Sequence, residues 1–96
     1  MNFEWDEAKN QANYFKHGID FEAAITIYDD FVYTFQDTRA DYGEDRFASI
    51  GVVAGIEITV IYTPRGNNKR IISARRSRHA ERRKYHEERK KYQNRF

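Results

Sequence analysis

Two apolar runs, Arg46 to Val53 and Ile56 to Thr63, are separated only by Ala54 and Gly55, and this spacing constrains the fold more than any other feature of the chain. Two residues is the commonest length of a β-hairpin connection, so the runs are read as antiparallel neighbours. Gly55 suits the left-handed backbone of such a turn, whereas Ala54 suits it poorly. A period of two also marks Phe31, Tyr33 and Phe35 against Val32, Thr34 and Gln36, and another strand is expected over Lys69 to Ala74 around Ile71 and Ile72. Pro64 to Asn68 is read as the turn before it. Residues 37–45 are polar, contain Gly43 and form a loop long enough to carry function.

Helix signals surround these strands. Phe3 and Trp5 alternate with polar residues as in a short edge strand, and Asp6 stands where an N-cap acceptor belongs. A helix is expected from Glu7 to His17, with Ala8, Ala12 and Phe15 as its apolar face and Gly18 as its left-handed stop. Asp20 caps a second helix, carrying Phe21, Ala24, Ile25 and Tyr28, which ends near Asp29 and Asp30. Ser77 is read as the cap of a last helix reaching about Tyr92. The sum is an α+β fold: a small antiparallel β-sheet packed by two N-terminal helices, with a basic C-terminal helix. At 96 residues, the expectation is one domain, 1–96, with a thin core.

Charge is strongly segregated. Residues 69–96 hold twelve basic side chains against three glutamates, or +9, whereas residues 1–68 hold five against twelve, or −7. Such a cationic end, interleaved with Tyr85, Tyr92 and Phe96, matches what polyphosphate binding requires, because Lys and Arg replace condensed counterions and aromatic rings offer stacking faces. Nucleic acid is therefore the first partner considered. A solvated basic helix is the plainer alternative. With no cysteine, neither a disulfide framework nor a zinc-cysteine site is available. The start lacks a signal peptide's basic and apolar regions, and no apolar stretch is long enough to span a bilayer. A cytoplasmic location is expected, without membrane association.

Several groups have the chemistry for cleaving RNA, which needs an acceptor for the 2′-hydroxyl proton, cations for the phosphorane charge and a donor to the leaving oxygen. Arg70, Arg75 and Arg76 suit the phosphate, since a guanidinium fork can hold two oxygens. Glu81, His79 or His17 can accept a proton, and Tyr85 can donate or orient one. Arg70 and Arg75 can equally be solubilising residues of an exposed strand face, and Glu81 and Tyr85 a local pair that orients the helix. The three histidines have no metal-site spacing, and the glycines fit no nucleotide-binding loop, so no cofactor or metal is expected.

Taken in order, Phe3-Glu4-Trp5-Asp6, Lys9, Asn13, Lys16-His17-Gly18-Ile19, Phe21-Glu22-Ala23-Ala24, Gly43-Glu44 with Arg46, Gly51, Gly55, Arg70-Ile71-Ile72-Ser73-Ala74-Arg75, Glu81-Arg82 and Tyr85 resemble the BrnT toxin family of type II toxin-antitoxin systems. The resemblance spans nearly the whole chain. Ser77 departs from it, where a small apolar residue is expected, and the end beyond Tyr85 is longer and more basic than the pattern requires. The resemblance implies a RelE-like fold and a metal-independent endoribonuclease that arrests translation. It also implies a BrnA-like ribbon-helix-helix antitoxin, expected as a 2:2 complex that alone reaches operator DNA. Lys16, His17, Arg46, Arg70, Arg75 and Tyr85 carry over as catalytic positions, with Arg70 and Arg75 on the phosphate and His17 as base. Arg76, Arg78, Arg82, Arg83 and Lys84 are expected to bind RNA. The competing readings are a non-catalytic nucleic-acid-binding module and a basic tail that docks an acidic antitoxin segment.

Overall fold

In the computed structural model, which describes residues 2–95, the chain runs β1 (Asn2–Glu4), α1 (Glu7–His17), α2 (Phe21–Ala24), a 3-10 turn (Ile25–Asp29), β2 (Tyr33–Gln36), β3 (Phe47–Val53), β4 (Ile56–Arg65), β5 (Asn68–Arg76) and α3 (His79–Gln93). The five strands form one sheet in the order β1-β5-β4-β3-β2. Ala54 (φ 50°) and Gly55 (φ 79°) both take left-handed backbone, giving the β3–β4 hairpin the primed turn whose twist matches its strands. The sheet is mixed rather than antiparallel throughout. β1 lies parallel to β5, pairing Asn2 with Asn68 and Glu4 with Arg70. No hairpin joins these two strands, so neither length nor turn geometry fixes their relative direction.

Other boundaries shift for physical reasons. The turn expected over Pro64 to Asn68 shrinks, because β4 continues to Arg65 and Pro64 pairs with Lys69. Pairing with β3 ends at Tyr62, so Pro64 sits where β4 has become an edge and its missing N–H costs nothing. β2 begins only at Tyr33, and the ring of Phe31 instead packs against Tyr85 and Tyr92, with centroids 5.7 and 4.9 Å apart. Arg78, not Ser77, is the N-cap of α3. Ser77 is buried and shares a 2.7 Å hydroxyl hydrogen bond with Thr59. The aromatic Phe96 lies outside the described residues.

One face of the sheet holds the core: Ile58, Val60, Tyr62, Ile71 and Ala74 pack with Phe21, Ala24 and Ile27, and Trp5 meets Phe21 edge-on at 5.9 Å. Gly51 is required there, since a Cβ would lie 2.5 Å from that of Ile27. The caps of α1 form as expected, with Asp6 accepting from Ala8 N and Lys9 N and with Gly18 at φ 74°. Its orientation does not. Ala8, Ala12 and Phe15 face solvent, and the buried side chains are Asn10 and Asn13. Asn13 donates to Ala74 O (2.8 Å) and Ile19 O (2.9 Å) and accepts from Ala74 N, standing in for a strand partner where β1 has ended. Asn10 Oδ1 accepts from Phe21 N at 2.7 Å. These bonds satisfy backbone groups that would otherwise be buried unpaired, which outweighs the burial of two alanines and a phenylalanine. No described helix is long and apolar enough to cross a membrane.

Candidate functional site

The opposite face of the sheet mixes buried apolar Ala48, Ile50 and Ile61 with polar side chains. Thr59, Ile61 and Thr63 of β4 lie opposite Arg75, Ser73 and Arg70 of β5, with a bulge between Ile61 and Tyr62. Five residues apart, Arg70 and Arg75 would point to opposite faces of a regular strand. The bulge restores the parity and puts both on this face, about 13 Å apart along the strand. The loop at residues 37–45 forms one wall of a cleft, held by Asp37 N to Arg46 O (2.8 Å) and by Thr63 Oγ1 to Asp45 O (2.7 Å). The first turn of α3 forms the other wall. Ala48 and Ile61 lie on the floor of the resulting 420 Å³ cleft, with Asp37, Arg39, Arg75, Arg78 and Glu81 around it.

Its centre is an ion pair. Arg75 clamps Glu81 with both guanidinium nitrogens, at 2.7 and 3.0 Å. Glu81 also accepts from Arg78 N (2.7 Å), the reciprocal bond of a capping box three residues into the helix, and from Thr59 Oγ1 (3.3 Å). Burial pushes the Glu81 carboxyl up, but the bonds from Arg75, Arg78 and Thr59 together outweigh it and hold the group below its ordinary value. Across the cleft Arg39 clamps Asp37 at 2.9 and 3.0 Å, and this hydrogen bonding holds the Asp37 carboxyl below its usual range. Three guanidiniums thus face two carboxylates, which leaves the cleft cationic.

The expected catalytic residues do not meet in one place. Arg75 is in the cleft. Arg70 lies farther along the same face, bound to Glu4 at 2.9 Å. Arg46 is on the loop wall, 3.3 Å from Glu44 and stacked 4.0 Å above the Tyr42 ring. Tyr85 is 1% exposed and its hydroxyl accepts from Arg89 (2.9 Å), so it anchors α3 to the sheet. Lys16 and His17 end α1 on the core face, where His17 lines a different hollow with Asp20, Ile56 and Arg76. Of the expected RNA-binding residues, Arg78 lines the cleft and Arg76 does not. Arg82 donates to Ser77 O (2.8 Å) and, with Arg83, lines a shallow hollow on the outside of α3. Lys84 pairs with Glu88 at 3.1 Å. Arg39 and Asp37 are additions from the structure, and their signal was two opposite charges two residues apart in a loop already read as functional.

Residues 5–81 match the model of a family described as the ribonuclease toxin, BrnT, of type II toxin-antitoxin systems. The chain belongs to the BrnT family. A search of curated proteins finds no match. The matched BrnT segment ends at Glu81, so it contains Arg39, Arg75, Arg78 and both cleft carboxylates, whereas most of α3 lies beyond it. Membership makes this a ribonuclease toxin whose system includes an antitoxin partner.

Proposed function

We propose that this BrnT protein is a RelE-like, metal-independent endoribonuclease whose chemistry takes place in the cleft between β5, the loop at residues 37–45 and the start of α3. The observation that carries this reading is the Arg75–Glu81 clamp, because one pair supplies both a phosphate fork and a proton acceptor. In the free protein Glu81 occupies the fork. An RNA phosphate entering the cleft competes for Arg75, and the carboxylate it displaces loses its nearest cation and becomes a stronger base. Glu81 then takes the 2′-hydroxyl proton as that oxygen attacks phosphorus. Arg75 and Arg78 stabilise the charge on the phosphorane, and Arg39 flanks the leaving side. The departing 5′-oxygen takes a proton from solvent, leaving a 2′,3′-cyclic phosphate and a 5′-hydroxyl. Arg70 and the outer arginines of α3, Arg82 and Arg83, hold flanking phosphates.

In the cell, this activity arrests translation in the cytoplasm and is neutralised by a BrnA-like ribbon-helix-helix antitoxin in a 2:2 complex, through which alone operator DNA is bound. The decisive experiment incubates purified toxin with RNA, with and without a chelator, beside Arg75→Lys. Cleavage that survives the chelator and is lost in Arg75→Lys, with RNA binding and its salt dependence retained, is the expected result. Loss of cleavage with the chelator would remove the metal-independent reading. Intact RNA under all conditions would leave a binding module in place of an enzyme.

A further inference from the structure

The outward face of α1 is a second surface with a chemistry of its own. Phe15 is 93% exposed and Tyr14 59%, and Ile56 on the β3–β4 hairpin is 37% exposed. Tyr14 lines two adjoining shallow grooves, one shared with Phe15 and the other with Ile56, so the three side chains belong to one patch. The rim beside Phe15 is acidic, formed by Glu7, Asp20 and Glu22 with no cation among its lining residues. A helix that turns its apolar stripe to solvent while burying two asparagines is built to be covered by something else.

The chain carries the complement. The last turns of α3 carry Arg89 and Lys91 beside Tyr92, which is 44% exposed with its ring against Phe31, and Arg95 follows. These two surfaces sit on opposite sides of the sheet: α1 packs on β5 and α2, whereas α3 packs on β3 and β2. One copy therefore presents both halves of an aromatic and electrostatic contact without being able to close it on itself.

We propose that two copies of this chain pair reciprocally, the cationic end of each α3 seated on the aromatic, acid-rimmed face of the other's α1. A two-fold arrangement makes the contact twice, which brings the buried area toward the roughly 1,200–2,000 Å² of a stable interface. It also turns the tail's cations toward carboxylates and away from RNA.

Sedimentation equilibrium of the 96-residue toxin chain tests this. The expected result is a closed dimer at low salt that weakens as salt rises. Phe15→Ser, at a site too exposed to disturb folding, should weaken it by about tenfold or more, as burial of one large apolar side chain implies. Lys91→Glu with Arg95→Glu should weaken it too, and adding Glu22→Lys to that pair, which leaves Phe15 in place, should restore much of it, which no folding defect would mimic. Circular dichroism confirms that each variant keeps its helices. A monomer at every concentration, a dimer indifferent to Phe15→Ser, or oligomers that grow without limit would each overturn the proposal. So would a monomeric toxin in which only antitoxin protects Phe15 from solvent, an outcome that assigns the face to the antitoxin.

Discussion

The two faces of the sheet obey different rules. Under α1 and α2, Phe21, Ile27, Val60 and Ile71 are at most 1% exposed and are held by shape and the exclusion of water. Under α3, Thr59, Ser77, Arg75 and Glu81 are tied by hydrogen bonds and charge, beside a smaller apolar layer of Tyr85, Ile50 and Ile61. The first face can lose function to almost no polar substitution at its rim, yet it cannot lose volume. The second should remain folded when it loses its charges, while the proposed chemistry depends on each of them. On that proposal, stability and catalysis are largely separated across one layer of strands.

The largest expected effect tests the dry face. Phe21→Ala removes a fully buried ring that meets Trp5 edge-on, and deletions of that kind cost about 3–5 kcal/mol. In a domain of this size that is a large part of the total stability. Thermal unfolding followed by circular dichroism should lose its cooperative transition or shift far downward. A variant that melts like the parent would show that the core lies elsewhere.

On the polar face, Glu81→Gln should leave the fold intact and lower RNA cleavage by about 10²–10⁴, the usual contribution of a general base. The same change frees the Arg75 fork, so RNA binding should tighten while cleavage falls. This opposite movement of affinity and rate is what distinguishes a base that competes with substrate from a purely structural glutamate, whose loss would weaken both. Arg75→Lys should cost somewhat less, about 10²–10³ in rate, with affinity nearly unchanged, because the charge remains and the fork does not. Single-turnover cleavage alongside filter binding measures both quantities.

Much of the dry face was legible in the sequence. The hairpin at Ala54 and Gly55, the Asp6 and Asp20 caps and the Gly18 stop are local devices, and each formed where the residues indicated. The orientation of α1 was not, because its apolar periodicity points to Phe15 while the helix is fixed by two amides bonded to backbone as distant as Ala74. The candidate site was legible only in pieces. Arg75 and Arg78 stood out as cations and Glu81 as one of three proton acceptors. Their assembly with Arg39 depends on a strand bulge and on a loop folded over Thr63, neither of which leaves a mark in local pattern. Tyr85 shows the converse: a side chain with useful chemistry that the fold spends on packing.

Acid should reveal the polar face as well. The Glu81 carboxyl is held below its ordinary value of 4.5 in the folded chain, so its contribution to stability is fully present above about pH 4.5 and is lost as pH falls through the folded value. Glu57, held low by its 2.7 Å hydrogen bond to His86, acts in the same direction. The melting temperature of the parent should therefore fall more steeply than that of Glu81→Gln below this pH, and the two curves should converge. Parallel curves would mean that the Arg75–Glu81 clamp adds little to stability.

The smallest expected effect bears most directly on where the chemistry lies. His17 and Lys16 have suitable side chains, and His17 is the strongest sequence-level candidate for a base, yet both end α1 on the face opposite the cleft. If catalysis belongs to the face bearing Arg75, His17→Ala removes an exposed side chain remote from the reacting atoms. Its effect on cleavage should stay within about twofold, the range of ordinary surface substitutions. A loss comparable to that of Glu81→Gln would break the comparison between the faces, because an imidazole acts only within hydrogen-bonding reach of the proton it takes. Such a loss would relocate the reaction to the hollow shared by His17, Asp20 and Arg76. The Arg75–Glu81 pair would then be left as a structural clamp on α3, so the two histidine outcomes assign the same ion pair opposite roles.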